Sequence, residues 1–283
     1  MVERNRWLDL ISHALLALGV LVIVFPIYLA LVGSTHSAQE MAQSPIPLWF
    51  GHDAWSNYRT ILMGEGPGVT SQIPVARMMW VSLVTALSIA LGKITISLLS
   101  AFALVYFNFP FRKAVFWGIF VTLMLPVEVR IVPTYQVIAD FGMVNTYAGL
   151  TIPLIASATA TFLFRQFFLT VPDELAEAAK MDGASPMRFF WDVLLPLSRT
   201  SMAALFVIQF IYGWNQYLWP LLMSTEERMY PIVMGIRSMT AGADAQVQWN
   251  LVMATAILAM LPPALVVVLM QKWFVKGLVD TEK

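Results

Sequence analysis

Residues 174–197 read ELAEAAKMDGASPMRFFWDVLLPL, the longest charge-bearing amphipathic stretch in an otherwise apolar chain. Of the 283 residues, 59% are hydrophobic and only 12% are charged. Soluble domains carry about 25% charged residues, so this composition indicates an integral membrane protein. This raises the question of why so apolar a chain keeps the stretch in water and what contacts it there.

The bulk composition excludes several classes of function. The net charge is zero, which gives no electrostatic argument for nucleic-acid binding, and the absence of cysteine removes disulfides, thiol nucleophiles and Cys-ligated metals. The three histidines, His13, His36 and His52, are far apart and form no HExxH motif. We interpret them as ordinary interfacial or loop residues. The sequence therefore predicts no catalytic residue, no metal site and no cofactor bound by this chain.

Apolar windows of about 20 residues mark membrane-spanning helices. The sequence predicts about six of them, at residues 10–33, 79–106, 114–135, 147–168, 200–222 and 251–270. The first run has about 23 residues and exceeds the roughly 7–15 of a signal peptide, so it is interpreted as an uncleaved span. We expect an all-α integral membrane protein with one transmembrane domain over 1–283, its core at about 77–270.

The distribution of Lys and Arg predicts the orientation. With an even number of spans both termini share one side, which holds 11 of these residues against 5 on the other. This predicts a multi-pass protein of the bacterial inner membrane with both termini, and the stretch 174–197, in the cytoplasm. Two outer loops, near 34–77 and 223–250, contain Pro, Gly and Trp and could pack as small ordered lids.

The segment 170–197 predicts two short helices separated by a corner. Thr170 is a candidate N-cap for the first helix, and Gly183 suits a left-handed stop at its end. Ser185, followed by proline, reads as the N-cap of the second helix. That helix is expected to end before Pro196.

The two short helices present different surfaces. On the first, Ala178 and Ala179 leave a low surface for a partner, and Glu177 and Asp182 add hydrogen-bond acceptors. On the second, an apolar stripe is formed by Phe189, Phe190, Val193 and Leu194. Amphipathicity alone fits a loop lying on the membrane surface. The ordered succession of an N-cap, an alanine pair, a corner at Gly183 and a second N-cap favours a docking site for another protein.

The run EAAKMDGASPMRFFWDVLLPL resembles the EAA loop of ABC importer permeases, whose pattern is EAA, two residues, DG and a later proline. The matching positions are Glu177, Ala178, Ala179, Asp182, Gly183 and Pro196. The resemblance implies a type I ABC importer permease fold. It also implies that this loop is a coupling helix, with the first five of these residues docking on a cytoplasmic ATPase.

Further stretches narrow the resemblance, among them LGKITISLLSAFALVYFNFP, TLMLPVEVRIVPTY, GLTIPLIASATATFLFRQFF and FIYGWNQYLWPLL. They are similar to permeases of sn-glycerol-3-phosphate importers, in the carbohydrate-uptake branch that includes the maltose permeases. The resemblance implies a second permease subunit, a homodimeric ATPase that binds ATP and Mg, and a periplasmic binding protein. It implies a phosphorylated small polyol as substrate, with a related ABC sugar importer as the alternative.

Three charged residues lie in or near predicted spans. Lys93 falls near the middle of the second span, where a charge costs roughly 2.5–3.5 kcal/mol and usually faces the bundle interior. It is either a positive charge near the path of an anionic substrate or a structural lysine that pairs with a polar neighbour or snorkels from a shifted, tilted helix. Glu128 and Arg130 follow Pro126 at the outer end of the third span. They fit an outer gate or a binding-protein contact, or a pair of interface anchors.

Polar and aromatic residues also cluster in the outer half of the fifth span. Trp214, Asn215 and Tyr217 lie in the run WNQYLWPLL. Trp and Tyr commonly form interfacial belts, but amides within hydrocarbon need partners. A translocation path or the interface with a second subunit would supply such partners.

Two other classes of function fit less well than a permease subunit without covalent chemistry. A secondary transporter would need paired halves and an acidic ion site at mid-membrane, and no repeat is evident. A membrane enzyme acting on lipid would need clustered His, Asp or Glu near one interface. The sequence also lacks the P-loop pattern GxxxxGK[ST], so any ATP would be handled by another chain.

Overall fold

The computed structural model is helical and describes residues 6–64, 73–122, 127–240 and 247–279. In chain order, the α-helices of this described part are α1 (Arg6–Gly33), α2 (Ala38–Met41), α3 (Ala54–Met63), α4 (Val75–Tyr106), α5 (Arg112–Val121), α6 (Val127–Asp140), α7 (Tyr147–Thr151), α8 (Ala158–Phe168), α9 (Asp173–Met181), α10 (Pro186–Phe189), α11 (Leu195–Leu197), α12 (Arg199–Trp214), α13 (Leu218–Met223), α14 (Ile232–Thr240) and α15 (Trp249–Val279). Short 3-10 or π-helical turns connect some of them.

Three helices are long and apolar enough to cross a membrane alone. They are α1, α4 and α15, over Asp9–Gly33, Val75–Tyr106 and Trp249–Lys272. The first, second and sixth predicted spans are therefore confirmed as continuous helices. Almost no residue of the α1 span is buried within this chain, so its apolar side chains are available to lipid or to another subunit.

The fourth predicted span is broken. Helix α7 passes into a 3-10 turn that contains Pro153, and α8 starts again after Ser157 at an angle of 48°. Ser157 caps the new helix by accepting the Ala160 N–H at 3.3 Å. Pro153 and the N-cap Ser157 therefore break the helix that was expected to be continuous over 147–168.

The bounds predicted for the fifth span were also wrong. Helix α12 ends at Trp214, and α13 begins only at Leu218. On its other side α12 continues from the short helices over Pro186–Leu197 through a bend of 72°. The third predicted span, 114–135, includes residues 123–126, which lie outside the described part of the chain.

The helices group into two compact units. One contains the described residues of 1–77 and 235–261, and the other those of 78–234 and 262–283. The second unit has a hydrophobic core that includes residues of the segment 174–197, and we call this core the aromatic cluster. It is formed by Ile94, Leu98, Ala101, Phe102, Ala160, Phe164, Phe168, Phe189, Phe190, Leu194 and Leu205. A separate core in the same unit surrounds the buried Trp219 and Met223.

Helices α4 and α12 approach each other closely within this second unit. A Cβ added at Gly213 would lie 2.9 Å from the Cα of Ala86, so the crossing requires glycine at that position. Lys93, about two turns after Ala86, contacts Gln209, one turn before Gly213. The two helices therefore run antiparallel, and the crossing brings together polar residues that are 116 positions apart.

The first unit contains a polar network that orders the loop after α1. Asn57 donates its amide hydrogens to the carbonyls of Ser34 and His36 at 2.9 and 2.8 Å. Its Oδ1 accepts a hydrogen bond from Asn250 at 3.0 Å. Buried amides need such partners, so this network fixes the start of the loop against α3 and α15. The described part of the predicted outer loop is thus ordered.

Each ring nitrogen of His36 faces a hydrogen-bond acceptor. Its Nε2 lies 2.7 Å from the Trp49 carbonyl and its Nδ1 lies 2.8 Å from Glu40 Oε2. A carbonyl and a carboxylate both accept, so the geometry favours the doubly protonated imidazolium. The Trp49 hydrogen bond, followed by the hydrogen bond and charge of Glu40 and the charge of Asp53, raises the pKa of His36 above 6.5.

The raised pKa predicts that this loop loses stability as the pH rises. The contribution of His36 should be complete below its unfolded pKa of about 6.5 and should be lost as the pH passes the higher folded value. His36→Gln should therefore lower the melting midpoint of the purified protein at about pH 6, with a smaller difference from wild type at about pH 8.5. His52→Gln makes the same substitution at an exposed position and is the control, which should keep a melting midpoint close to that of wild type. If His36→Gln lowers the melting midpoint by the same amount at both pH values, the assignment of His36 as a charged imidazolium is contradicted.

Candidate functional site: the coupling segment and a buried lysine

The first helix of the segment 170–197 begins later than predicted. The N-cap residue is Pro172, and the Thr170 hydroxyl instead donates to the Phe167 carbonyl at 2.7 Å. Val171 precedes a proline, and such residues are disfavoured in the α-helical region, so a helix cannot start at that point. Asp173 and Glu174 occupy the first turn, where their negative charges interact favourably with the positive end of the helix dipole.

The corner after α9 is a Schellman motif. Gly183 has φ +73°, its N–H donates to the Lys180 carbonyl at 3.0 Å, and the Ala184 N–H donates to the Ala179 carbonyl at 2.9 Å. Nothing lies within 4 Å of a Cβ built at Gly183, so the requirement for glycine is conformational and not steric. The predicted left-handed helix stop is confirmed.

The second helix begins as predicted and ends differently. Ser185 caps it by accepting the Arg188 N–H at 3.3 Å. After α10 the chain forms a π-helical turn over Phe190–Leu194 and continues as α11, which contains Pro196. The wider turn changes the hydrogen-bond register, so a residue that lacks an N–H is accommodated without ending the helix. The predicted stop before Pro196 was therefore wrong.

The apolar stripe on the second helix faces the interior of the unit. Phe189, Phe190 and Leu194 are buried at 7%, 3% and 0% exposure as part of the aromatic cluster, and Val193 packs against it. The stripe is thus occupied by this chain's own helices. An amphipathic loop lying on lipid would leave the same stripe uncovered.

The first helix presents its other face to solvent. Glu177, Ala178, Asp182 and Gly183 are exposed, whereas Ala179 packs against the aromatic cluster. Met181, which sequence reasoning missed, is 83% exposed. Its sequence signal is a large apolar residue placed between a lysine and the Asp-Gly corner. A small exposed patch of acidic, alanine and methionine side chains is therefore held outside the bundle.

The partners of Lys93 are both neutral. Its Nζ donates to Gln209 Oε1 at 3.0 Å and lies 3.7 Å from the ring centroid of Tyr212. Lys93 and Gln209 are each 7% exposed. Sequence reasoning did not select Gln209 or Tyr212. The available signal was one amide inside the apolar run FVIQFIYGW of α12, since an amide there needs a partner.

The structure describes only part of the pair Glu128 and Arg130, which was predicted to form an outer gate, a binding-protein contact or a pair of interface anchors. Arg130 is an exposed residue of α6. Glu128 belongs to α6, but its side chain lies outside the described part of the structure. Within the described residues, no group of three or more His, Asp or Glu side chains is arranged to hold a metal ion.

The residues predicted around Trp214 lie in different environments. Trp214 is 2% exposed and stacks on Phe210, with ring centroids 5.8 Å apart. Asn215 is the exposed C-cap of α12, and Tyr217 is a half-buried residue just before α13. Gln216 satisfies its amide by donating to the Tyr212 carbonyl at 3.1 Å. The break between α12 and α13 therefore separates Tyr217 from the helix that carries Trp214.

The chain matches a known family over most of its length. Residues 93–280 match the family described as "Binding-protein-dependent transport system inner membrane component". The chain belongs to this family. It is an integral inner-membrane protein and a permease component of a transport system. The match begins at Lys93 and includes the whole of the segment 170–197.

Individual relatives and one solved structure agree with this assignment. The permease is 58% identical over 284 residues to the "sn-glycerol-3-phosphate transport system permease protein UgpE" of Pectobacterium atrosepticum, and 57% identical over 283 residues to the protein of the same name in Brucella melitensis. Both alignments cover 100% of each chain. The fold resembles a chain in the crystal structure of a bacterial ABC transporter involved in the import of the acidic polysaccharide alginate, with TM-score 0.78 and 20% identity over 97% of this chain and 99% of that one. The fold is that of a type I ABC importer permease.

The Schellman corner makes a prediction about local stability. Gly183→Ala places a side chain in the left-handed region, which costs about 1–2 kcal/mol. Local opening should become easier by the same amount, so the amides of Gly183 and Ala184 should exchange roughly 5 to 30 times faster. Hydrogen exchange measured by mass spectrometry on a peptide covering 180–190 checks this. Gly118→Ala, at a helical glycine that is also free of contacts, should leave that peptide unchanged. Equal exchange in Gly183→Ala and wild type would contradict the prediction.

Proposed function

We propose that this permease is one membrane subunit of an ATP-driven importer that takes up sn-glycerol 3-phosphate delivered by a periplasmic binding protein. The names of its full-length relatives, which are 57–58% identical, support this cargo. The family description supports a dependence on a binding protein. In this proposal the chain forms half of the pore and performs no covalent chemistry.

The proposed assembly contains three further components. They are a second permease subunit, a homodimeric cytoplasmic ATPase that binds ATP and Mg, and the binding protein. The lack of a P-loop in this sequence supports a separate ATPase. The exposed apolar side chains of α1 support contact with lipid or a second subunit, because such a surface is otherwise left uncovered. The excess of Lys and Arg supports cytoplasmic termini.

The exposed corner at Glu177–Gly183 is the observation that carries this function. An ATPase can contact Glu177, Ala178 and Asp182 directly, with Gly183 fixing the direction in which the chain leaves. Ala179 lies at the base of this docking surface, against the aromatic cluster. The patch is small and exposed to solvent, so a partner protein can reach it.

The same contacts give a route for coupling to the membrane helices. Movement of α9 would be passed through Phe189 and Phe190 to the helices that form the aromatic cluster, because close-packed side chains move together. The chain is also covalently continuous from the corner through the 72° bend into α12. ATP binding and hydrolysis would in this way alter the orientation of the pore-lining helices.

The proposed docking predicts that a charge reversal at Glu177 releases the ATPase. A charge-assisted hydrogen bond is worth roughly 1.5–3 kcal/mol, so Glu177→Lys should weaken docking by about ten- to a hundredfold. The measurement is the amount of ATPase that co-purifies with a tagged permease in mild detergent, together with substrate-stimulated ATP hydrolysis.

The exposed Glu227 provides a matched control outside the coupling segment. Glu227→Lys makes the same change of charge and should retain wild-type amounts of ATPase. Wild-type retention and turnover in Glu177→Lys would show that the segment is a surface helix with no docking role. ATP-independent uptake by the purified permease alone would instead support the secondary-transporter alternative.

A further inference from the structure

We propose that Lys93, Gln209 and Tyr212 form a site within the membrane-spanning helices that binds the phosphate group of the transported molecule. Lys93 lies on α4 and the other two on α12, where the ammonium contacts the Gln209 amide oxygen at 3.0 Å and the Tyr212 ring at 3.7 Å. This inference rests on the proposed import of a phosphorylated polyol. It assigns the recognition of its charge to specific side chains.

The neutral surroundings of Lys93 distinguish this arrangement from a structural ion pair. A lysine buried for structural reasons is normally paired with a carboxylate, since an unpaired charge is costly to bury. Among the described residues, no carboxylate lies within 4 Å of the Lys93 ammonium. An amide oxygen and an aromatic face stabilise the ammonium without cancelling its charge. The Lys93 amine is therefore held between the helices without a carboxylate partner among the described residues.

The site also keeps hydrogen-bond donors for a ligand. An ammonium has three N–H groups, and one of those on Lys93 is used by Gln209. Within the described structure, no hydrogen bond engages the Gln209 Nε2 or the Tyr212 hydroxyl. An oxygen-rich anion that enters beside Lys93 would thus meet both charge and N–H donors, which is the combination that phosphate oxygens require.

A doubly charged anion suits this site better than a neutral molecule. A phosphate monoester carries about −1.5 to −2 charges at neutral pH and would be attracted by the Lys93 ammonium. An uncharged polyol would not be attracted in this way. The site would therefore favour phosphate esters over the corresponding free polyols.

The position of the site links substrate binding to the coupling segment. Gln209 and Tyr212 belong to α12, which is continuous through its bend with the segment that carries the docking corner. Lys93 belongs to α4, which contributes Phe102 to the aromatic cluster. An anion held by these side chains would bridge the two helices, so movement of the coupling segment would change the geometry of the site.

The decisive variant is Gln209→Glu, which is nearly isosteric and places a carboxylate beside Lys93. If Lys93 has only a structural role, this change converts its hydrogen bond with residue 209 into a buried ion pair and preserves the contact between α4 and α12. In an anion site it neutralises Lys93 and occupies the place of the phosphate. Lys93→Met removes the charge, Lys93→Arg retains it, and the exposed Gln166→Glu is a matched amide-to-acid control.

The first measurement is the melting midpoint of the purified importer with inorganic phosphate, sn-glycerol 3-phosphate or glycerol. Phosphate bound to the ATPase subunits contributes equally to all variants, so the comparison between variants isolates this site. Both phosphate compounds should stabilise wild type, Lys93→Arg and Gln166→Glu more than Lys93→Met and Gln209→Glu. Glycerol should not separate the variants.

The second measurement is uptake of labelled sn-glycerol 3-phosphate by proteoliposomes that contain the importer and its binding protein. Gln209→Glu should lower uptake by about tenfold or more, the loss expected when a charge-assisted contact is removed. Equal stabilisation by phosphate in wild type and Gln209→Glu, with uptake unchanged, would overturn the site. Variant-dependent phosphate binding without any uptake by wild type would refute the proposed cargo while leaving the anion site intact.

Discussion

The packing of Phe189 and Phe190 against the membrane helices is the contact on which the rest of this permease depends. Phe190 lies 5.0 Å from Phe102 and Phe189 lies 5.3 Å from Tyr106, measured between ring centroids. Burying each phenylalanine contributes about 1.5–3 kcal/mol, and each aromatic pair adds about 0.5–1.5 kcal/mol. Without this packing, α9 would be a polar helix tethered by a flexible chain, and force applied to it would not reach the bundle.

The route from the coupling segment into the membrane depends on an irregular helix. The π-helical turn at Phe190–Leu194 allows the chain to continue through Pro196, and the 72° bend then directs it along α12. The Ser198 hydroxyl and N–H both bond the Leu194 carbonyl, at 2.6 and 3.0 Å, which satisfies a backbone group at the bend. The docking corner, the bend and the partners of Lys93 thus lie on one continuous stretch of chain.

Features governed by local chemistry were predictable from the sequence. The positive φ at Gly183, the Ser185 cap and the apolar character of the stripe on the second helix each follow from a few neighbouring residues. The three uninterrupted spans follow from hydropathy alone. The start of α9 differs from the prediction because Pro172 disfavours a helical conformation at Val171, and this outweighs the preference of Thr170 for the N-cap position.

Features that depend on contacts between distant residues were not predictable. Nothing in the sequence near Lys93 indicates that Gln209 and Tyr212 are its partners, because the crossing at Gly213 and Ala86 brings them together. Trp214 resembled a residue of the membrane interface, yet that crossing and its stacking on Phe210 bury it. Pro196 was expected to end a helix, because a π-helical turn has no clear signature in the residues that form it.

The most direct test of the coupling segment uses the absence of cysteine from this chain. Met181→Cys introduces a single thiol at a position that is 83% exposed, and Trp55→Cys does so at an 80% exposed position of α3. A short thiol-to-amine cross-linker is applied to membranes that contain the whole importer, and the products are identified by mass spectrometry. We expect Met181→Cys to capture the ATPase subunit and Trp55→Cys not to. Equal labelling of both variants without any cross-link between Met181→Cys and the ATPase would contradict the assignment of this segment as the docking site.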